Sequence, residues 1–326
     1  MKIEIFFGTG GVGKTTLATS RAIYLSKKNK KILLMTIDPS IRLGQILGLK
    51  EEDSGTVKEV NLNEHLNFDA LLFNPQNTFK KISKSKKMNR ILEVVTRREG
   101  GLNEIMSLVE INQHLKEKAY DVIILDTPPG SHFIDFLSSS KRINHFFDKT
   151  FIEVFNFLNK KSGPSGLVMK IVKTGVDKLL RYLEKVTGKI FVEEFVDAIG
   201  NLYELEETFR DALKLEKKLE DPEKTSIFLV TSSAQAKIDD ALELDKLVKS
   251  KLKLKSTVLI NKTLAAHLQD FDFIPNSKAE KLKISMLERE NKLNLQAKKF
   301  NEDCLTFPEV LQEDPKDQVL FLADKW

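Results

Sequence analysis

The sequence holds one cysteine, Cys304, in 326 residues. A single thiol excludes an intramolecular disulfide and any Cys-pair zinc site within one chain. In "DCLTFPE" it reads as a buried, reduced thiol. Long hydrophobic runs are missing too: no apolar stretch approaches the ~18 residues that mark a membrane-spanning helix. The N-terminus enters a strand pattern directly, without the charged region and apolar segment of a signal peptide. Together these absences predict a cytoplasmic protein. No internal repeat or low-complexity segment is found. Strong charge of one sign is also lacking, since 52 Lys and Arg face 47 Asp and Glu for a net +5, a balance that predicts solubility more than a partner. The densest basic run, "FKKISKSKKMNR" (79–90), with Lys80, Lys81, Lys84, Lys86 and Lys87, reads as a solvated helix face, with contact to nucleic acid or an anionic membrane as the other reading. The C-terminal "QVLFLADKW" is too short and too little basic to bind a membrane surface. Neither nucleic acid nor membrane is therefore expected as a partner.

Against these absences stands "FFGTGGVGKTTLATS" (6–20). Gly8, Gly13, Lys14 and Thr15 satisfy G-x-x-x-x-G-K-[ST], in which backbone amides cradle phosphates, the lysine reaches β/γ oxygens and the hydroxyl holds Mg²⁺. Chance would supply those four positions in roughly one chain in a hundred of this length. The context is right as well: "KIEIFF" reads as a buried strand, and "KTTLATSRAIYLS" has apolar residues at helical spacing. The candidate phosphate-binding residues are thus Gly8, Thr9, Gly10, Gly11, Val12, Gly13, Lys14, Thr15 and Thr16. The helix dipole favours a polyanion there even before Lys14 contributes.

Further strands are predicted at "KKILLMTID" (30–38), "FDALLF" (68–73), "YDVIILD" (120–126), "SIFLVTS" (226–232) and "STVLINK" (256–262). Their near-continuous apolar character fits parallel strands covered on both faces. With helical stretches between them, the fold class is α/β, a doubly wound, mostly parallel sheet. Roughly ninety residues without a strand signal separate two of these strands, far more than a crossover helix needs. An inserted helical subdomain is predicted over 137–224, with breaks at "SGPSG" (162–166) and "TG" (187–188), and a core formed by 1–136 and 225–326. Phe146, Phe147, Phe151, Phe155, Phe157, Phe191 and Phe195 read as packing between its helices, with a groove for an apolar client as the other reading. The stretch 278–300 reads as one charged amphipathic helix.

Two strands end in aspartate, at the sheet end where open α/β folds bind ligands. Asp126 closes "VIIL" and suits the Mg²⁺ shell opposite Thr15. Gly130, after two prolines, is placed to sense a γ-phosphate through its amide. Asp38 closes "KILLMTI" and can orient or activate an attacking water, besides capping the following helix.

Taken in order, "GTGGVGKTT", "TIDPSIRLGQILGL", "VIILDTPPGSHFIDFL", "FLVTS" and "VLINK" resemble the ArsA-type anion-transporting ATPases. These are deviant Walker A ATPases related to the tail-anchored-protein targeting ATPases and to MinD and ParA. The resemblance spans nearly the whole chain and is nearest to single-module bacterial members. It implies a P-loop NTPase fold and a dimeric ATPase switch with ATP and Mg²⁺ as cofactors. It also implies a protein client bound through the helical subdomain, or else a MinD/ParA-like assembly module. By the same resemblance Asp38 becomes the water-activating switch residue and a candidate near the metal, and Asp126 the Walker B acid. Asn261 becomes the adenine-recognising residue, with Pro308 in "FPEVLQED" completing that pocket. The cysteine clusters of arsenite-binding members and the shared zinc pair of the targeting ATPases have no counterpart here. Family members carry a lysine where Thr9 stands, and that lysine reaches the partner's phosphates. Its replacement implies slow hydrolysis, substitution by another basic residue such as Arg42, or a heterodimer with a paralogue in place of a homodimer; otherwise Thr9 is an ordinary loop residue of a homodimer that hydrolyses ATP through other contacts.

Overall fold

The computed structural model describes residues 1–37, 41–63, 66–83, 103–130, 205–219, 221–269, 274–300 and 303–326, with a few single positions between them. Two compact units are present. The first gathers Met1–Phe73, His114–Leu137 and Glu216–Trp326, and the second Asn74–Gln113 and Ser138–Leu215. The second thus takes in 74–113, a segment that sequence boundaries at 137 and 224 leave with the core.

The first unit is built on an eight-stranded sheet: β1 Lys2–Gly8, β2 Ile32–Thr36, β3 Val57–Asn63, β4 Leu66–Leu72, β5 Val122–Asp126, β6 Thr225–Ser232, β7 Ser256–Thr263 and β8 Cys304–Pro308. Their spatial order is β3-β4-β2-β5-β1-β6-β7-β8, and every pairing is parallel except β3 with β4. The mostly parallel α/β fold is therefore as the sequence indicates. β1 lies between β5 and β6, so its C-terminal end and the loop that follows are flanked on both sides.

Period-two alternation sends Phe6 to one face of the sheet and Ile5 and Phe7 to the other, and all three are fully buried. On the Phe6 face lie helices α1 (Lys14–Ser26) and, at the chain's end, Pro315–Ala323, which pack on each other. On the other face, helix Gln235–Lys251 covers β6, and Lys278–Phe300 packs on β7 and on that helix. Both faces are thus clad, which is why β2 and β5 read as apolar runs and β1 as one interrupted only by Glu4 after its first residue. The long helix falls where its amphipathic pattern predicts.

On the α1 side, Glu4 is buried on β1 and receives a bidentate pair from Arg21, with Nε and Nη2 each at 2.8 Å. Trp326 closes over this pair. Its ring stands 4.9 Å from the Arg21 guanidinium carbon and packs on Phe6, Phe228 and Phe307, while its Nε1 donates to Ser20 Oγ at 2.9 Å. The indole shields the ion pair from water and fills the space between β1, β6 and β8. Trp326→Ala should therefore cost about 3 kcal/mol, read as a lower urea midpoint by far-ultraviolet circular dichroism. Fluorescence will not serve, because this is the sole tryptophan.

Two strands are absent from the sequence reading, β3 and β8, and both are sheet edges. The buried thiol expected at Cys304 is corrected accordingly: on the edge strand β8 it is only half-buried. Burial still raises its thiol above the ordinary range, against a smaller lowering by Lys298.

In the second unit, Pro75–Ile82 is capped by Asn74, whose side chain accepts from the Asn77 amide. The buried Glu110, on helix Asn103–Glu117, accepts from Thr78 Oγ1 at 2.6 Å and Lys81 Nζ at 2.8 Å. One lysine of the basic run is thus spoken for internally, while Lys84, Lys86 and Lys87 lie outside the described residues. So do the phenylalanines named above for the inserted region.

Candidate phosphate-binding site

β1 ends at Gly8, the loop 9–13 follows, and α1 begins at Lys14. Three of the loop glycines hold positive φ, namely Gly8, Gly11 and Gly13. Gly8 is the most constrained: at φ +154° a Cβ would stand 2.1 Å from the Val230 carbonyl oxygen of β6. At Gly11, by contrast, an added Cβ would meet nothing within 4 Å, so the loop backbone opens to a ligand there. Gly13, the N-cap of α1, supplies no side-chain cap, and the first turn holds no acidic residue. The helix thus presents its amide end and positive dipole without a built-in anion. Lys14 is buried, and its Nζ donates to the Thr9 carbonyl at 3.1 Å, folding the ammonium back over the loop. Thr9's own hydroxyl is buried without a hydrogen-bond partner.

Thr15 and Asp126, over a hundred residues apart in sequence, meet directly. Thr15 Oγ1 donates to Asp126 Oδ2 at 2.7 Å, and Asp126 is 1 % exposed. A hydroxyl and a carboxylate at a dry strand end are hard oxygen donors, the chemistry suited to a small hard divalent cation. Among the described residues no group of three His, Cys, Asp or Glu is placed to hold a metal, so a cation here would complete its shell with phosphate oxygens and water.

The segment after Asp126 is sewn to β1. Thr127 donates to the Phe6 carbonyl from its amide at 3.2 Å and its hydroxyl at 2.9 Å, and the Gly130 amide donates to the Gly8 carbonyl at 3.0 Å. The sequence expectation aims the Gly130 amide at a γ-phosphate. In the structure Gly130 holds φ +74° and its amide is engaged by the Gly8 carbonyl of the loop. Val230 and Thr127 add to the residues that the sequence motifs single out. A threonine after a strand-end Asp was the available signal for the second; none marked the first.

The residues expected at the base lie beyond β6, on β7 and β8. Asn261 on β7 is 4 % exposed and donates from Nδ2 to the Val12 carbonyl at 3.0 Å. Pro308 ends the neighbouring β8, in register with Thr263, whose hydroxyl donates to the Phe307 carbonyl at 3.1 Å. Asn261 and Pro308 therefore lie at the same sheet end as the loop, while Thr16 is buried in the first turn of α1. Asp38 lies outside the described residues, as does the side chain of Arg42.

The family profile described as anion-transporting ATPase matches residues 1–291. The chain belongs to the anion-transporting ATPase family. Its relatives include ATPase GET3 of Mycosarcoma maydis, 31% identical over 48% of this chain and 46% of that protein. Putative arsenical pump-driving ATPase 1 of Aquifex aeolicus is 26% identical over 71% of this chain and 56% of its own length. An ATPase ASNA1 homolog of Dictyostelium discoideum is 26% identical over 64% and 67%. The chain thus spans about half the length of the first two. In this member of the family the glycine loop after β1, Thr15 and the Asp126 carboxylate lie at one sheet end. No helix among its described residues is long and apolar enough to cross a membrane.

Proposed function

We propose that this chain binds Mg·ATP and hydrolyses it as a switch, dimerising in the ATP state and presenting a surface to a protein client. The observation that carries this reading is the direct contact of Thr15 with Asp126 beside an amide-lined loop. Thr15 and Asp126 would hold the cation; when bound, Mg²⁺ neutralises charge on the β- and γ-phosphate oxygens. Lys14, released from the Thr9 carbonyl, adds its charge to the same oxygens, and the loop amides fix their position. Asp38 would orient the attacking water, and Asn261 with Pro308 would receive the adenine. Phosphoryl transfer needs mainly such positioning and charge stabilisation. The family membership and the relatives named as ATPases support the reading. An arsenical substrate is not supported, because this sequence supplies one thiol.

A second reading, a slow or non-hydrolysing assembly module, alone or paired with a paralogue, draws on Thr9. With its hydroxyl buried and uncharged, this residue offers no cation to a partner's phosphates.

Solution mass measured with Mg·ATP and with Mg·ADP, together with single-turnover hydrolysis by wild type and Asp38→Asn, separates the two. An ATP-specific dimer whose hydrolysis is lost in Asp38→Asn is the expected result. A monomer that binds ATP yet scarcely hydrolyses it would overturn the homodimeric switch in favour of a partner chain.

A further inference from the structure

Asn261 reaches the phosphate loop from the end of β7, beside a local irregularity toward β8. Ile260 pairs with Thr306 and Thr263 with Pro308, so β7 carries one residue more than β8 between those points. Lys262 absorbs the extra residue at φ +63°, and its carbonyl accepts from Ser233 Oγ at 2.9 Å. Asn261 itself stays in register with Ser232 of β6 and follows Leu259 on the α1 side by period-two alternation. Its Nδ2 meets the Val12 carbonyl at 3.0 Å in a setting closed to water. The same nitrogen lies 2.2 Å from where a Cβ on Gly13 would stand, so the amide fills the space that the glycine leaves.

The geometry of one peptide unit gives this contact its meaning. No cis peptide is present among the described residues, and across a trans peptide the carbonyl and the amide point in opposite directions. Holding the Val12 carbonyl toward β7 therefore turns the Gly13 amide the other way, toward the open side of the loop. A phosphate cradle requires that polarity, because a carbonyl rotated inward would repel the anion.

We propose that Asn261 is a positioning residue for the phosphate cradle: its hydrogen bond to the Val12 carbonyl sets the Val12–Gly13 peptide with its amide toward the phosphates. This role is separate from reading the base, since an amide nitrogen carries two hydrogens and only one is used on Val12. It rests on the reading of the loop as a nucleotide site.

The test compares Mg·ATP with magnesium tripolyphosphate, which has the phosphates and no base, by calorimetric titration of the full chain. Asn261→Ala and the near-isosteric Asn261→Leu, neither of which adds charge, should weaken tripolyphosphate roughly tenfold, for one lost buried hydrogen bond, and ATP by at least as much. The Gly13 amide resonance of both variants should be displaced even without ligand. Weakened ATP binding with unchanged tripolyphosphate binding would overturn the proposal and leave Asn261 a base reader only. In case neither variant folds, the wild type is sufficient: the Asn261 side-chain amide signal should shift on adding tripolyphosphate, and a shift with ATP alone would again overturn the proposal. A wild type that binds neither ligand would defeat the nucleotide reading, and the proposal with it.

Discussion

Asp126→Asn is expected to slow ATP hydrolysis about a hundredfold or more, the scale on which a single preorganised charge-stabilising group acts. The substitution keeps shape and an oxygen acceptor, so Thr15 can still donate as it does now at 2.7 Å. What disappears is a full negative charge at a position 1 % exposed to solvent, where water cannot screen its pull on a divalent cation. The loss should therefore show chiefly as a shift of the Mg²⁺ dependence to higher concentration. The unfolding midpoint of the ligand-free protein should not fall, because a buried carboxylate costs desolvation that an amide avoids. Unchanged hydrolysis with an unchanged Mg²⁺ midpoint would make Asp126 a purely structural partner of Thr15.

Gly8→Ala should be the most damaging single methyl group in the described sheet. The residue pairs with Val230 across β1 and β6, and the added carbon would lie 2.1 Å from that carbonyl oxygen. The obstacle is backbone in the middle of a sheet and cannot swing aside. Positive φ at +154° adds strain for any residue with a side chain. Strain and overpacking together amount to about 3 kcal/mol or more, a large share of the ~5–15 kcal/mol typical of a folded domain. Gly10→Ala serves as the control. Its nearest neighbour would be the Pro129 Cβ at 4.0 Å, an ordinary contact. Urea unfolding should separate the two variants clearly, and equal midpoints would show that the β1 and β6 backbones yield more readily than this geometry allows.

The parts of this molecule legible in its sequence are those whose physics is written locally. The interior strands announce themselves because two covered faces demand apolar residues at every position, as in "VIIL" before Asp126. The edge strands do not. β3, "VKEVNLN", has only one side covered, with Val60 buried between exposed Glu59 and Asn61. β8, "CLTFP", has one buried residue and ends in proline. Lys14, Thr15 and Asp126 were readable from fixed spacing and strand-end position. The Asn261 contact with Val12 was not, since it joins residues 249 apart, a separation that no local pattern spans. The engagement of the Gly130 amide by Gly8 was hidden for a similar reason. It follows from a turn closing on a loop more than a hundred residues earlier in the chain.

The placement of β1 between β5 and β6 also fixes the order of events as the chain is made. Although the phosphate loop is encoded within the first fifteen residues, its supporting strand pairs with residues 122–126 and 225–230. At a synthesis rate of ~5–20 residues per second, β1 waits roughly 10 to 45 s for its second neighbour to emerge. Until then Gly8 has no Val230 to lie against, and an apolar strand stands with an open flank. A nascent chain that stops before β6 should be unable to capture nucleotide, so ligand can reward only those molecules whose translation has run well past the midpoint.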